Sequence, residues 1–490
     1  MQDNKLYTVL THFDRIEQNR LRKYVRSPYF NVNETLMDLF DIIIHYINTY
    51  EGKVEKRKRS KLDKSRDLTK EGIWQQLYPK EPYHDTRFRK LNSELLKLVE
   101  GYLAQEIYEQ TPLQQVNYLF EAVGQKKIEK LYSSTERNAR LISFQQNLKP
   151  ADFYYYQYLI EKNYYESLDV DMQRGEKSNV EKIINYLDEF FLAEKIKWYV
   201  SLLYRKAFVS HEYSLLFIDE IVRHVQKQDY SHNPVISVYY QILLTKIESD
   251  EEKHFEGLIV LLRKYESQFP KKEVYELYSN ALNYCVTQAN RGKTDFMMKF
   301  YEIYKYLLDK KIAFYASHKG ELSPWHFQNA VMTSLRLGYY SWAEDLIHEQ
   351  KEKLPKEFRE NAISYNLALV YFYQKKYDSV KELLREIEYA DITYNLGSKS
   401  MLIAIYYEQD DDDALISLMD SFKAYLNRHK DIADNKRIPY LNLMKYIRKM
   451  LKLNHNDKKE MDLIKKEIEE DRKVGVASEK WLLEKLAELE

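Results

Sequence analysis

Apolar and polar positions alternate with a helical period along nearly the whole chain. Residues 85–110 show it plainly. Phe88, Leu91, Leu95, Leu98 and Tyr102 recur at intervals of three and four, which lays one apolar stripe along a helix. Asp85, just ahead of the stripe, is the expected N-cap. Comparable stripes recur from about residue 33 to 472, among them 126–148, 177–193, 273–290, 325–337, 357–374, 396–408 and 434–453. Short polar connectors such as Gln228–Asn233, Ser249–Glu252 and Asn290–Lys293 separate them. No period-2 run is bounded by Asn-Gly or Asp-Gly, so no hairpin is predicted. Medium helices on short links predict antiparallel pairs.

Composition agrees. Eleven glycines and ten prolines in 490 residues fall well below the ~7% and ~5% of ordinary proteins, too few for the turns of an all-β or dinucleotide-binding fold. Lys plus Arg and Asp plus Glu each number 76, so the chain as a whole is neither a polycation for nucleic acid nor an acidic tail. The single cysteine, Cys285, excludes internal disulfides and multi-cysteine zinc sites, and fits a reducing cytoplasm. The first 30 residues are too charged for a signal peptide. The longest apolar stretch, Leu39–Ile47, is broken by Asp41 and His45 and falls short of the ~20 residues of a membrane span. A cytoplasmic protein with no membrane partner is expected. Forty-five tyrosines suit rings packed between helices with hydroxyls reaching water or backbone.

Residues 365–384 carry a specific pattern. Leu367, Ala368 and Tyr371, then Tyr377, Val380 and Leu384, resemble the first and second helices of a tetratricopeptide repeat. The preceding unit matches at Gly338, Tyr340, Ala343 and Pro355, but has Ala330, Val331 and Ser334 where that family has Leu, Gly and Tyr. The following unit offers Tyr406 and Ala414. Tyr340 to Tyr377 is 37 residues and Tyr371 to Tyr406 is 35, near the ~34 of the family. The resemblance covers about 326–430; upstream, 126–322 keeps the rhythm of helix pairs without the motif.

The expected architecture is therefore all-α, a right-handed α-solenoid of antiparallel helix pairs with a helical N-terminal module. The module occupies 1–110 and contains a basic loop at 51–70. Degenerate repeats fill 111–322, and 323–490 holds the clearer repeats with a C-terminal capping helix bearing Trp481, Leu482, Leu486 and Leu489. Breaks are expected at 111–125, where Thr111-Pro112 and Gly124 interrupt the pattern, and at Lys319-Gly320-Glu321.

The resemblance implies a protein or peptide partner held in a concave groove of first helices. The matching positions are Gln328, Met332, Leu335 and Arg336, then Tyr365, Leu369, Phe372 and Tyr373, then Ser400, Ala404, Tyr407 and Glu408. They form an apolar, aromatic set suited to an amphipathic segment. The clamp by which one subgroup holds a C-terminal carboxylate is absent, since only Asn366 fits among Gln328, Met332, Asn366, Gly397 and Met401.

The alternative is a nucleic-acid-binding regulator. Lys56, Arg57, Lys58 and Arg59 form a short basic run of the kind that contacts phosphates. Residues 69–100 loosely resemble a winged-helix module, which would present Arg87, Lys90, Ser93 and Lys97 to a groove, although no sequence for a wing follows.

No catalytic motif survives inspection, and no cofactor or metal is expected. Arg291-Gly292-Lys293-Thr294 ends like a phosphate-binding loop, but Thr287 stands where glycine is required. Asp169 and Asp171 open like a calcium loop, but Arg174 replaces its glycine. His211-Glu212 lacks a second histidine, Leu215 standing there instead. Asp410–Asp413 reads as acids at a helix start, and Cys285 as a buried thiol. The function expected is a non-catalytic interaction scaffold.

Overall fold

The computed structural model describes residues 4–51, 69–167, 178–206, 214–317, 319–385, 392–429, 432, 434–453 and 458–489. The described residues form twenty-three α-helices and no strand, so the all-α expectation holds. None of these helices is long and apolar enough to cross a membrane. The chain divides into two compact units, residues 1–146 with 156–184, and residues 147–155 with 185–490. Of the breaks expected at 111–125 and 319–321, the Thr111-Pro112 step stands between two helices, Gly124 lies inside one, and 319–321 lies in an inter-helix loop.

The first unit opens with α1 (Lys5–Thr11), α2 (Arg15–Val25), α3 (Glu34–Tyr46), α4 (Lys70–Leu77) and α5 (Asp85–Glu109). Helices α1, α2 and α3 all pack on α5. Leu6, Leu21, Phe40, Ile43, Trp74, Phe88 and Leu95 are buried together there, so the stripe read along 85–110 is the core of this module. All five helices begin at a side-chain cap: Asn4, Asp14, Asn33, Thr69 and His84 each accept a backbone N–H of the first turn. The cap of α5 is thus His84 rather than Asp85, which lies inside the helix and accepts from the Tyr83 hydroxyl at 2.8 Å. The interruption expected at Thr111-Pro112 separates α5 from the next helix. Pro112 is the first residue of α6 (Pro112–Gln125), where its missing N–H costs nothing. Helix α7 (Glu129–Phe144) follows. Its Arg140 pairs with the buried Glu161 at 2.7 Å.

Helices α8 (Ala151–Ser167) and α9 (Val180–Lys206) contribute residues to both units, and α9 runs thirteen residues beyond the stripe read at 177–193. The second unit continues through α10 (Ile218–Lys227), α11 (Pro234–Ile247), α12 (Glu252–Tyr265), α13 (Lys271–Asn290) and α14 (Asp295–Asp309). Then come α15 (Pro324–Arg336), α16 (Tyr340–Gln350), α17 (Lys356–Tyr373), α18 (Tyr377–Arg385), α19 (Ile392–Glu408) and α20 (Asp412–Arg428). Helices α21 (Asp434–Met450), α22 (Lys458–Asp471) and α23 (Glu479–Glu488) pack on one another at the end. Successive helices pair from α11 to α20, and first helices also meet across pairs, α11 with α13, α15 with α17, α17 with α19.

One turn recurs between the members of these pairs. After α13, Gly292 takes φ +94° and the Lys293 N–H reaches back five residues to the Gln288 carbonyl, 3.1 Å. The same arrangement stands at Gly338 (φ +80°, Tyr339 N to Ser334 O 2.8 Å), Lys375 (φ +58°, Lys376 N to Tyr371 O 2.9 Å) and Asp410 (φ +54°, Asp411 N to Tyr406 O 3.0 Å). A left-handed residue followed by a six-to-one bond satisfies the orphan carbonyls of the first helix and ends it. Seven positions before each turn residue stand Cys285, Val331, Ala368 and Ile403, none with exposed surface. After three of the turns, Ala343, Val380 and Leu415 are buried five positions on, and Ile347, Leu384 and Met419 nine on. After Gly292 the equivalents, Phe296 and Phe300, come one position earlier. The turn residues are 46, 37 and 35 apart. The first interval contains the 3-10 turn Ala313–Ala316, and the second a shorter one, Lys351–Lys353.

Four tyrosines pack in the expected way, whereas the hydroxyls of the buried Tyr154 and Tyr304 find no hydrogen-bond partner among the described residues. Tyr102, Tyr265, Tyr284 and Tyr446 have buried rings, and their hydroxyls donate to the backbone carbonyls of Glu17, Ser231, Ser249 and Glu467.

Candidate protein-interaction surface

Positions four apart share one helix face. Helix α15 accordingly carries Gln328, Met332 and Arg336 in line, and α17 carries Tyr365, Leu369 and Tyr373, with Phe372 beside them. The structure joins part of this set. The Tyr373 hydroxyl points at the Met332 sulfur at 3.8 Å, and the Phe372 ring lies 6.2 Å from Tyr373 and 6.1 Å from Tyr377. Gln328, Met332, Phe372 and Tyr373 are half-buried, and Arg336 is exposed at the end of α15.

Tyr365 and Leu369 require a correction. They are 4% and 3% exposed and belong to the core. The Tyr365 ring lies 5.1 Å from that of Tyr394 on α19. Its hydroxyl occupies the space over Gly397, where any β-carbon would overlap it. Glycine there lets α19 close on α17, and the aromatic ring fills the seam instead of lining a groove. That burial raises the Tyr365 pKa above its usual value. Leu335, Ser400 and Ala404, placed on the same face, are also buried. Asn366, the one clamp-like position, donates to the Ala362 carbonyl of its own helix at 2.7 Å.

Tyr407 joins a different group. Its ring meets Trp481 of α23 edge-on at 5.4 Å, and the Trp481 indole donates to Glu408 at 2.9 Å. Lys485 also reaches Glu408, at 2.9 Å, with only 12% of its side chain exposed. Burial opposes ionisation of Glu408, but hydrogen bonds from Lys485 and Trp481, with the Lys485 charge, outweigh it and hold the carboxyl below its usual range. The apolar register of the C-terminal helix was legible in the sequence. Its acidic partner, more than seventy positions away, carried no local signal.

Of the basic set, Lys56, Arg57, Lys58 and Arg59 lie outside the described residues, as do Asp169, Asp171, Arg174, His211 and Glu212. Arg87 is engaged locally: its guanidinium lies 4.2 Å from the Tyr78 ring and 5.5 Å from Trp74, and it pairs with Glu81 at 2.7 Å. Lys90 stands 3.9 Å from Glu94 one turn on. Ser93 and Lys97 are exposed. Among the described residues no wing hairpin accompanies them.

The phosphate-loop look-alike is the turn at Gly292, and both of its cations are paired, Arg291 with Asp250 at 2.9 Å and Lys293 with Glu252 at 2.7 Å. In the acidic run, Asp410 is a turn residue and Asp411 caps α20 through the Ala414 N–H. Cys285 is fully buried, which pushes its thiol pKa far above the usual value. Among the described residues no group of three His, Cys, Asp or Glu side chains is placed to hold a metal ion. No family model, curated protein or solved structure matches the chain.

Proposed function

We propose that this chain is a tetratricopeptide-like right-handed α-solenoid that binds a segment of another protein and performs no catalysis. The recurrence of one helix–turn–helix unit, from Cys285–Phe300 to Ile403–Met419, carries the reading. Stacked pairs of this kind leave a continuous face of first helices, the surface such arrays use for recognition. On that face Gln328, Met332, Phe372 and Tyr373 stand half-buried, adaptable and aromatic, with Arg336 at the edge. They suit an apolar anchor on the partner. The engagement of Arg87 and Lys90 by neighbouring side chains gives the nucleic-acid alternative no comparable support.

A photo-crosslinking residue at position 373, tested in the source cell, examines this directly. The expected outcome is one discrete protein adduct, cut roughly tenfold by Met332→Ala with Phe372→Ala at unchanged circular dichroism. An adduct indifferent to those substitutions, or adducts with nucleic acid alone, would overturn the reading.

A further inference from the structure

A cavity of about 430 Å³ opens where the end of α19 and the start of α20 meet α21, α22 and α23. That size lies within the ordinary range for a binding pocket. Its floor is apolar and includes Tyr407, Met450, Leu453, Met461 and Leu489. Met450 and Met461 are 3% and 2% exposed.

The polar lining is one-sided. Four carboxylates face the cavity, Glu408, Asp410, Asp412 and Glu488, against one ammonium, Lys485. Lys485 is already spent between Glu408 at 2.9 Å and Glu488 at 2.7 Å. Lys375 lies near enough to favour the Glu408 charge, but it is exposed and does not line the cavity. Asp410 and Asp412 are exposed and pair with no cation among the described residues. The N-terminus of α20 accounts for acids at its start. It does not account for their opening onto a cavity that Tyr407, Leu453 and Leu489 also line.

We propose that this cavity docks a basic, amphipathic protein segment. An apolar side chain of the segment rests on Leu453 and Leu489, which are half-buried, and a neighbouring lysine or arginine pairs with Asp410 and Asp412. Charge complementarity selects the occupant: the three negative charges in excess repel an acidic segment and favour a basic one. The site is separate from the Met332–Tyr373 face and does not rest on the solenoid reading.

The test uses the full chain and a fluorescein-labelled fourteen-residue helical peptide with leucine on one face and lysine on the other. Its counterpart replaces each lysine by glutamate. Anisotropy is expected to show binding of the lysine peptide only. Asp410→Asn with Asp412→Asn should weaken it roughly tenfold; asparagine tolerates the left-handed turn, so the fold is kept. Leu489→Ala should weaken it separately, while Met332→Ala with Phe372→Ala leaves it unchanged. Equal binding of the two peptides overturns the proposal, as does full affinity in the double asparagine variant or loss in the Met332/Phe372 variant alone. Displacement by spermine at the same concentration as by unlabelled peptide would overturn it in favour of a small polycation.

Discussion

The helices before residue 110 and those from 271 to 428 solve the same problem differently. In the first region, helices of 7, 11 and 13 residues gather on one of 25, the 8-residue α4 packs on α3, and each starts at its own side-chain cap. In the second, four pairs share one backbone turn, and its central residue is glycine twice, lysine once and aspartate once. The start of α14 and of α16 has no side-chain cap at all. A side-chain cap writes itself into the sequence as Asn, Asp or Thr. A backbone turn of this type asks only that φ be positive, and tertiary packing can impose that on lysine. Regularity in three dimensions therefore coexists with irregular sequence.

Breaking the first region should have the largest effect. Trp74, 2% exposed between α3 and α5, donates its indole N–H to the Glu81 carbonyl at 3.2 Å. Trp74→Ala should cost about 3–5 kcal/mol and remove amide protection from 4–109. Hydrogen exchange read by mass spectrometry should find 271–428 as protected as before. Loss of protection in both would show that the two regions unfold as one.

Acid should act on the second region. Burial pushes the His326 pKa from 6.5 down to about 4, and its Nδ1 lies 2.7 Å from the Tyr275 hydroxyl. The folded chain thus holds this ring neutral where the unfolded chain binds a proton. Stability is complete above pH 6.5 and falls as pH drops from 6.5 towards 4, by up to about 3 kcal/mol. Denaturant titrations across that window should show the decline, and His326→Gln should flatten it. An unchanged slope in that variant would assign the decline to other groups.

The turns should give the smallest effects, with opposite signs. Gly338→Ala puts a β-carbon on a residue with φ +80° and should cost about 1–2 kcal/mol. Lys375→Gly relieves the same strain at φ +58° and should gain about 0.5–1 kcal/mol. Thermal melts decide it. If both substitutions destabilise, the two turns are not equivalent.

Most helices were legible because burial of one stripe imposes a 3.6-residue period whatever the partner. The stripes at 273–290, 325–337 and 357–374 agree with α13, α15 and α17 to within two residues at each end. The interruption read at Thr111-Pro112 is there, between α5 and α6, because proline is tolerated at the first position of a helix but not in its interior; Gly124, in the last turn of α6, interrupts nothing. Of the proposed groove, Met332 and Tyr373 do meet, whereas Tyr365 and Leu369 are core. A stripe wider than one contact offers no local mark of which edge the next helix will cover.

By itself the sequence determined that this chain is helical, where most of its helices lie, and that several pair at intervals near 36 residues, since periodicity and connector length are local quantities. Only the tertiary structure decided that Gly292 belongs to the same series as Gly338, because their likeness lies in a torsion angle and a hydrogen bond rather than in side chains. It alone decided that Tyr365 fills a seam over Gly397 and that Lys485 meets Glu408. Those outcomes depend on how closely two helices distant in sequence approach, and that distance is set by every side chain packed between them.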